Sequence, residues 1–419
     1  MSIMPQSVSQ PASNQPAYAR PQLAVLLGRL AEQPRFIQIL AGPRQVGKTT
    51  LIQQAAARLG DRLLYAAADL PSAPTPEWIQ QQWMRVTLAA QAEAAQPKNT
   101  RAAASSKPWV LVLDEVQKIP RWSETIKALW DTRRKNIHLV LLGSSEFLVQ
   151  QGLTESLAGR FERIRVPHWS YSEMRDAFGW TVDQFIQFGG YPGPAPLIQS
   201  PERWRGYLQD AIIEPIVTRD VMSLARIDKP ILLRRLMELG CMYSGQMVSY
   251  QKLQGQLQDA GNTTTLAHYL QLLTSAWMLT GLPKFAGDQA RQRASSPKLQ
   301  VYNTALQSSL GPAFHGHALQ RHDPEQWGRL VESAVGAHLL NALPNEARLY
   351  YWRDRNMEVD FVVQTPQQLL AIEVKSGARL RNPNGLSAFC KAYPRATPVV
   401  VGTGGVPLNE FLAITKPFG

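Results

Sequence analysis

The chain has 419 residues, which predicts roughly two or three domains, and 44% of them are hydrophobic, enough for ordinary soluble cores. Lys and Arg number 44 against 32 Asp and Glu, a net charge of +12, which favours an anionic partner (nucleic acid, an acidic protein or a membrane surface) unless the charge is simply spread over the surface. Two cysteines, Cys241 and Cys390, exclude a disulfide framework or a cysteine metal site, and no run approaches the ~18 apolar residues of a membrane span.

Residues 1–20 are rich in Ser, Gln, Pro and Ala and lack the apolar core of a signal peptide, so they predict a disordered tail and a cytoplasmic protein. A helix pattern at 23–31 precedes a short apolar strand at 36–40, a Gly-rich loop, a helix to about residue 59 and a second strand at 62–67. Residues 93–107 are rich in Ala, Ser, Pro and Lys and predict a loose insertion. Apolar strands follow at 109–113 and 137–142, and strands alternating with helices imply a parallel sheet covered on both faces. A turn-rich stretch, Phe188-Gly189-Gly190-Tyr191-Pro192-Gly193, leads into helical segments that reach about Ala225. Helices are expected at 229–243, 249–258 and 264–276, then an apolar segment at 277–282, a polar stretch at 286–297 and a strand at 298–302. The last part opens with a helix at 325–341, with strands near 348–353, 357–363, 368–375 and 397–402. The expected domains are therefore 21–225, 226–312 and 320–419, in an α/β chain with an α-rich middle.

The loop Gly42-Pro43-Arg44-Gln45-Val46-Gly47-Lys48-Thr49 fits G-x-x-x-x-G-K-[ST] in full, after a predicted strand and at the start of a predicted helix, the context that the motif needs. Glycines let backbone N–H groups turn toward phosphates, and the helix N-terminus adds partial positive charge. The loop, through Thr50, is expected to bind ATP; Lys48 would reach the β- and γ-phosphates and the Thr49 hydroxyl would ligate Mg²⁺. The strand Leu111-Val112-Leu113 ends in Asp114-Glu115, at the edge where open parallel sheets place ligands. Asp114 would hold Mg²⁺ through water and Glu115 would polarise the attacking water. That second acid favours hydrolysis over a P-loop phosphotransferase. The same two acids would also suit the start of any helix.

Together these residues resemble the AAA-type ATPase module of a large prokaryotic family whose C-terminal domain has no known function. The resemblance rests on Gly-Pro-Arg-Gln-Val-Gly-Lys-Thr-Thr at 42–50, Leu-Asp-Glu-Val-Gln-Lys-Ile-Pro at 113–120, Leu-Leu-Gly-Ser-Ser at 141–145, Leu-Ala-Gly-Arg at 157–160 and Gly-Gly-Tyr-Pro at 189–192. Tyr-Tyr-Trp-Arg at 350–353, Glu-Val-Asp-Phe-Val at 358–362 and Ala-Ile-Glu-Val-Lys-Ser-Gly at 371–377 extend it to the end of the chain. It implies that Ser144 is a polar sensor of the γ-phosphate, against a mere turn. It also implies that Arg160 is an arginine finger, with Arg133 and Arg134 as rivals and an exposed structural arginine as the plain alternative. A finger acting in trans would make the chain a homo-oligomer.

Asp360, then twelve residues, then Glu373-Val374-Lys375 resembles the PD-(D/E)xK nuclease signature. Residues two apart on a strand share a face, so Glu373 and Lys375 project together, and a hairpin would bring Asp360 beside them. Asp360 and Glu373 would then bind Mg²⁺ or Mn²⁺, Lys375 would stabilise charge, and Glu332 on the preceding helix fits the first acidic position of that superfamily. A solvated hairpin face carrying a cross-strand charge pair is the plain alternative.

Residues 248–275 read as a helix-turn-helix whose second helix is capped by Thr263-Thr264-Thr265. With the following strands they suggest a winged helix with a basic wing of Lys284, Arg291, Arg293 and Lys298. No Arg or Lys lies between 253 and 283, so a domain-docking module is the rival reading. The expectation for the whole is a P-loop ATPase whose nucleotide state controls a winged helix and a nuclease-like domain acting on nucleic acid, DNA before RNA. The alternative is an ATP-driven switch whose silent C-terminal domain binds a protein partner.

Overall fold

The structure, a computed structural model, describes residues 18–69, 74–95, 108–132, 136–143, 156–222, 227–257, 262–287, 295–311, 323–377 and 384–415. The chain divides into two compact units, Met1–Gly42 with Gly47–Val166, and Pro43–Val46 with Pro167–Gly419.

The first unit is built on five parallel strands, β1 (Ile37–Ala41), β2 (Leu63–Ala67), β3 (Trp109–Asp114), β4 (Ile137–Gly143) and β5 (Phe161–Arg165), in the order β2-β3-β4-β1-β5. Every residue of β1 and β4 is buried, as expected where a parallel sheet is covered on both faces. Helix α1 (Pro21–Ala31) buries Leu23, Leu26 and Leu30 at helical spacing, and α2 (Lys48–Leu59) follows the phosphate loop. Helices α3 (Pro76–Ala95) and α4 (Trp122–Asp131) press Ile79, Val86, Ile126 and Trp130 onto Ile39, Leu111, Leu113, Leu139 and Leu141.

Strand β5 departs from the sequence expectation. Its Phe-Glu-Arg-Ile-Arg run carries charges that hide an apolar period, a composition suited to the edge position it holds. Residues 93–95 also turn out helical: the Glu93 carboxylate accepts from Trp109 Nε1 at 2.8 Å and pairs with Arg62, which anchors the end of α3. The rest of the predicted insertion, 96–107, and residues 1–17 of the predicted tail lie outside the described residues.

In the second unit, α5 (Tyr171–Phe178) and α6 (Val182–Phe188) both start with capping boxes, Ser170 with Glu173 and Thr181 with Gln184. Helix α7 (Pro201–Tyr207) runs on into two π-helical stretches, Leu208–Ile213 and Ile216–Val221. Residues 167–222, expected to close the first domain, thus belong to the second unit, where α6 packs on a later helix, Thr304–Leu310. The middle holds α8 (Pro230–Met242), α9 (Tyr250–Gln256) and α10 (Thr263–Ser275), then an antiparallel pair, β6 (Leu279–Leu282) with β7 (Lys298–Val301), and α11 (Thr304–Leu310). The cap of α10 is Asn262, which accepts from Thr265 N at 2.8 Å, whereas Thr263, Thr264 and Thr265 form the first turn.

The final part places α12 (Pro324–Ala342) before a four-stranded sheet of β8 (Arg348–Asp354), β9 (Met357–Gln364), β10 (Leu369–Lys375) and β11 (Ala396–Gly402), in the order β11-β10-β9-β8. The first three strands form an antiparallel meander. Strand β11 joins β10 in parallel after α13 (Asn384–Ala392), and α14 (Leu408–Ala413) follows. Trp352, Val359, Ala371 and Phe389 fill the core between this sheet and α13. Among the described residues no helix is long and apolar enough to cross a membrane.

Candidate functional site

The phosphate loop leaves the C-terminal end of β1. A Cβ on Gly42 would lie 1.9 Å from the Val166 carbonyl oxygen, so only glycine fits there. Gln45 and Gly47 have φ of +60° and +88°, a left-handed turning of the kind from which backbone N–H groups can form an anion-binding concavity. Gly47 starts α2, Lys48 is its first residue and donates from Nζ to the Gly42 carbonyl at 2.8 Å, and Thr49 and Thr50 are exposed in the first turn.

Asp114 ends β3 in register with Leu142, and Gly143 ends β4 in register with Ala41. Asp114 and the loop therefore share the C-terminal edge of the sheet with one strand between them, about 10 Å apart at the usual inter-strand spacing. Tyr65 donates to Asp114 Oδ2 at 2.8 Å, and burial together with that carboxylate pushes the Tyr65 phenol above its ordinary range. Glu115 turns off the strand at φ +55°, where its Oε2 accepts from Gln117 Nε2 at 2.8 Å with Lys118 Nζ at 3.8 Å.

Arg160 is not brought to this edge. Its carbonyl accepts from Ile37 N, at the opposite end of β1, roughly 16 Å of strand from the loop. Its guanidinium instead pairs with Asp131 at 2.8 and 3.0 Å. A β-sheet edge is a matter of strand direction, and the Leu-Ala-Gly-Arg motif precedes β5 rather than following it. Ser144, Arg133 and Arg134 lie outside the described residues.

Residues 43–46 cluster with the second unit although they lie inside the loop. Arg44 forms a two-point ion pair with Asp220, with Nη2 to Oδ1 at 2.6 Å. Tyr207 donates to Gln45 Oε1 at 3.0 Å, and Trp169 Nε1 donates to the Val46 carbonyl at 2.9 Å. The Gly-Gly-Tyr-Pro turn serves packing: a Cβ on Gly189 would meet Asn303 at 2.0 Å and one on Gly190 would meet the Trp169 carbonyl at 2.1 Å. Neither Tyr65 nor Trp169, Tyr207 and Asp220 announce themselves by spacing. Only the fold brings them to the motif.

In the C-terminal part, Glu332, Asp360 and Glu373 come together beside a cleft of about 550 Å³ also lined by Arg329, Arg353 and Glu358. Asp360 Oδ2 accepts from Val374 N at 2.7 Å. Burial, with Asp360 next to it, pushes the Glu373 carboxyl up to about 8, and burial raises that of Glu332 as well. Lys375 closes β10 opposite Gly402.

Lys298, expected in an exposed basic wing, has 0% exposure, and its ammonium lies among these acids. Burial alone would push this amine down. Glu332, Asp360 and Glu358 more than offset that and hold it above the ordinary lysine range. Of the other proposed wing residues, Lys284 is half-buried and forms a backbone bridge with Tyr351, while Arg291 and Arg293 lie outside the described residues. A divalent ion does not fit this donor set: among the described residues no group of three or more His, Cys, Asp and Glu could hold a metal, and the Lys298 ammonium already lies against Glu332 and Asp360.

Residues 34–175 match the family described as AAA domain, while 179–315 and 327–414 match two domains of unknown function. Uncharacterized proteins of Mycobacterium bovis and Mycobacterium tuberculosis are each 29% identical over 348 residues, 81% of this chain and 70% of theirs. One from Haemophilus influenzae is 23% identical over 361 residues, 81% of this chain and 82% of its own. The Thermotoga maritima RuvB Holliday junction branch migration motor covers 62% of this chain and 88% of its own at 16% identity, but its TM-score of 0.29 is too low to bear on fold or function. The N-terminal part of the chain thus matches an AAA-type P-loop ATPase domain, and two domains without assigned function follow it.

Proposed function

We propose that this chain is a Mg²⁺-dependent ATPase whose nucleotide state is read by the segment that follows its sheet. The observation that carries the reading is the placement of Lys48 and Asp114 at one sheet edge, with the nest of Gln45 and Gly47 beside Lys48. Bound ATP would lie along that loop. Thr49 and Asp114 would hold its Mg²⁺, which neutralises phosphate charge, while Lys48 reaches the terminal phosphates and Glu115 polarises water. Phosphates entering the loop would compete with Asp220 for the Arg44 guanidinium, and any shift of the loop would be felt at Gln45 and Val46, which accept from Tyr207 and Trp169.

For the C-terminal part we favour a binding role over metal-dependent cleavage, because Lys298 sits among the acids that cleavage would need. The exposed side chains of α10 include Thr264, His268 and Gln271 and no cation, which favours docking over groove reading there. A nucleic-acid partner has the net charge of +12 as its support, and affinity for a DNA duplex that falls steeply between low and high salt would sustain it. Arg160 retains a catalytic role only toward the loop of a second copy, which requires turnover per chain to rise with protein concentration.

The deciding measurement is ATP turnover by wild type, Lys48→Ala and Glu115→Gln, with nucleotide binding followed in parallel. Turnover in wild type, its loss in both variants and retained ATP binding in Glu115→Gln support the reading. Absence of turnover in wild type, with or without DNA or RNA, sinks it.

A further inference from the structure

Lys298 opens β7, yet its amine is completely buried in the acidic cluster of the later sheet. Nζ lies 2.5 Å from Glu332 Oε1, 3.8 Å from Asp360 Oδ1 and 4.0 Å from Glu358 Oε1. It also donates to the Asp360 carbonyl at 3.0 Å and lies 4.7 Å from the centre of the Phe361 ring. The acids come from α12 and β9, and the amine comes from a different part of the chain.

We propose that Lys298 is the resident cation of this cluster, standing where a divalent ion would otherwise be drawn, so that the cluster is a metal-independent ion-pair lock between β7 and the C-terminal sheet. The proposal rests on the reading of this part as non-cleaving. Carboxylates withdrawn from water require a positive charge near them, and a lysine at these distances supplies it without any ligand from solution. A divalent ion needs several oxygens at about 2.0–2.6 Å around one point, whereas here Glu332 and the Asp360 carbonyl already converge on the ammonium group. Two cations a few ångströms apart in a buried site would also repel each other strongly. The nuclease signature does not include this lysine, which lies 62 residues before Asp360.

The test is Mn²⁺ binding to the full chain without nucleotide, read from the electron paramagnetic resonance of the free ion. It compares wild type, Asp360→Asn, Lys298→Met and Lys298→Met with Asp360→Asn. The expected result is no Asp360-dependent binding in wild type. Lys298→Met gains one Mn²⁺ per chain, at least about tenfold tighter than any wild-type binding, and loses it again with Asp360→Asn. Stoichiometric, Asp360-dependent Mn²⁺ binding by wild type overturns the proposal, as does a folded Lys298→Met that gains none. Should Lys298→Met fail to fold, the wild-type and Asp360→Asn pair still decides between these outcomes. Incubating the same proteins with DNA separates the two readings. Mn²⁺ binding without cleavage overturns the lysine lock alone, Asp360-dependent cleavage by wild type overturns the non-cleaving reading as well, and ATP turnover is scored apart from both.

Discussion

The phosphate loop and the C-terminal acidic cluster are completed in opposite ways. At the loop, the motif residues do what their spacing requires: Gly42 admits the Val166 carbonyl, Gly47 takes the left-handed turn, and Lys48 begins the helix. At the cluster, Glu332, Asp360 and Glu373 line one cleft, and the ammonium of Lys298, from a distant strand, lies against Glu332 and Asp360. A contiguous motif carries its own backbone geometry. A dispersed constellation depends on everything else that the fold delivers to the same place, including a charge that its own residues do not announce.

The largest expected effect tests the first half of that contrast. Lys48→Ala should lower ATP turnover by about 10²–10³-fold, the loss typical of removing one preorganised charge-stabilising donor, with the melting temperature nearly unchanged. If turnover persists, the loop is no more complete than the cluster. Next, Glu332→Gln removes the nearest anion from a fully buried ammonium and should cost about 3 kcal/mol in chemical denaturation, within the range seen when one partner of a buried pair is deleted. A neutral result would mean that Lys298 is solvated and the lock is not formed.

The third effect is a pH dependence. The folded state raises Glu373 from 4.5 to about 8, so its protonated form is the one that the fold accommodates. Its stabilising contribution is then complete below about pH 4.5 and is lost as pH rises toward about 8. Melting temperature should fall across that window in wild type, and the slope should flatten in Glu373→Gln. The smallest effect belongs to Tyr65→Phe, which removes one hydrogen bond to Asp114 and should cost about 1 kcal/mol of stability, with turnover lowered a few-fold. A larger loss of turnover would make Tyr65 a positioning residue in its own right.

Much of the architecture was legible beforehand because helices and buried strands write their periods locally. Strands β1 to β4, helices α8 to α10 and the four C-terminal strands follow runs that can be read in isolation. Strand β5 escaped because its edge position tolerates Glu162, Arg163 and Arg165. The cap at Asn262 was displaced by one residue because three threonines beside it offer the same chemistry.

The sequence by itself determined the phosphate loop, the acids after β3 and the candidate acids of the last sheet, since each depends on neighbouring residues in a strand or turn. Only the tertiary structure decided that Arg160 faces Asp131, that residues 43–46 answer to Asp220, Tyr207 and Trp169, and that Lys298 is buried rather than displayed on a wing. The physical reason is common to all three. A long cationic or hydrogen-bonding side chain takes its role from the partner it meets, and that partner comes from a segment that local pattern does not connect to it.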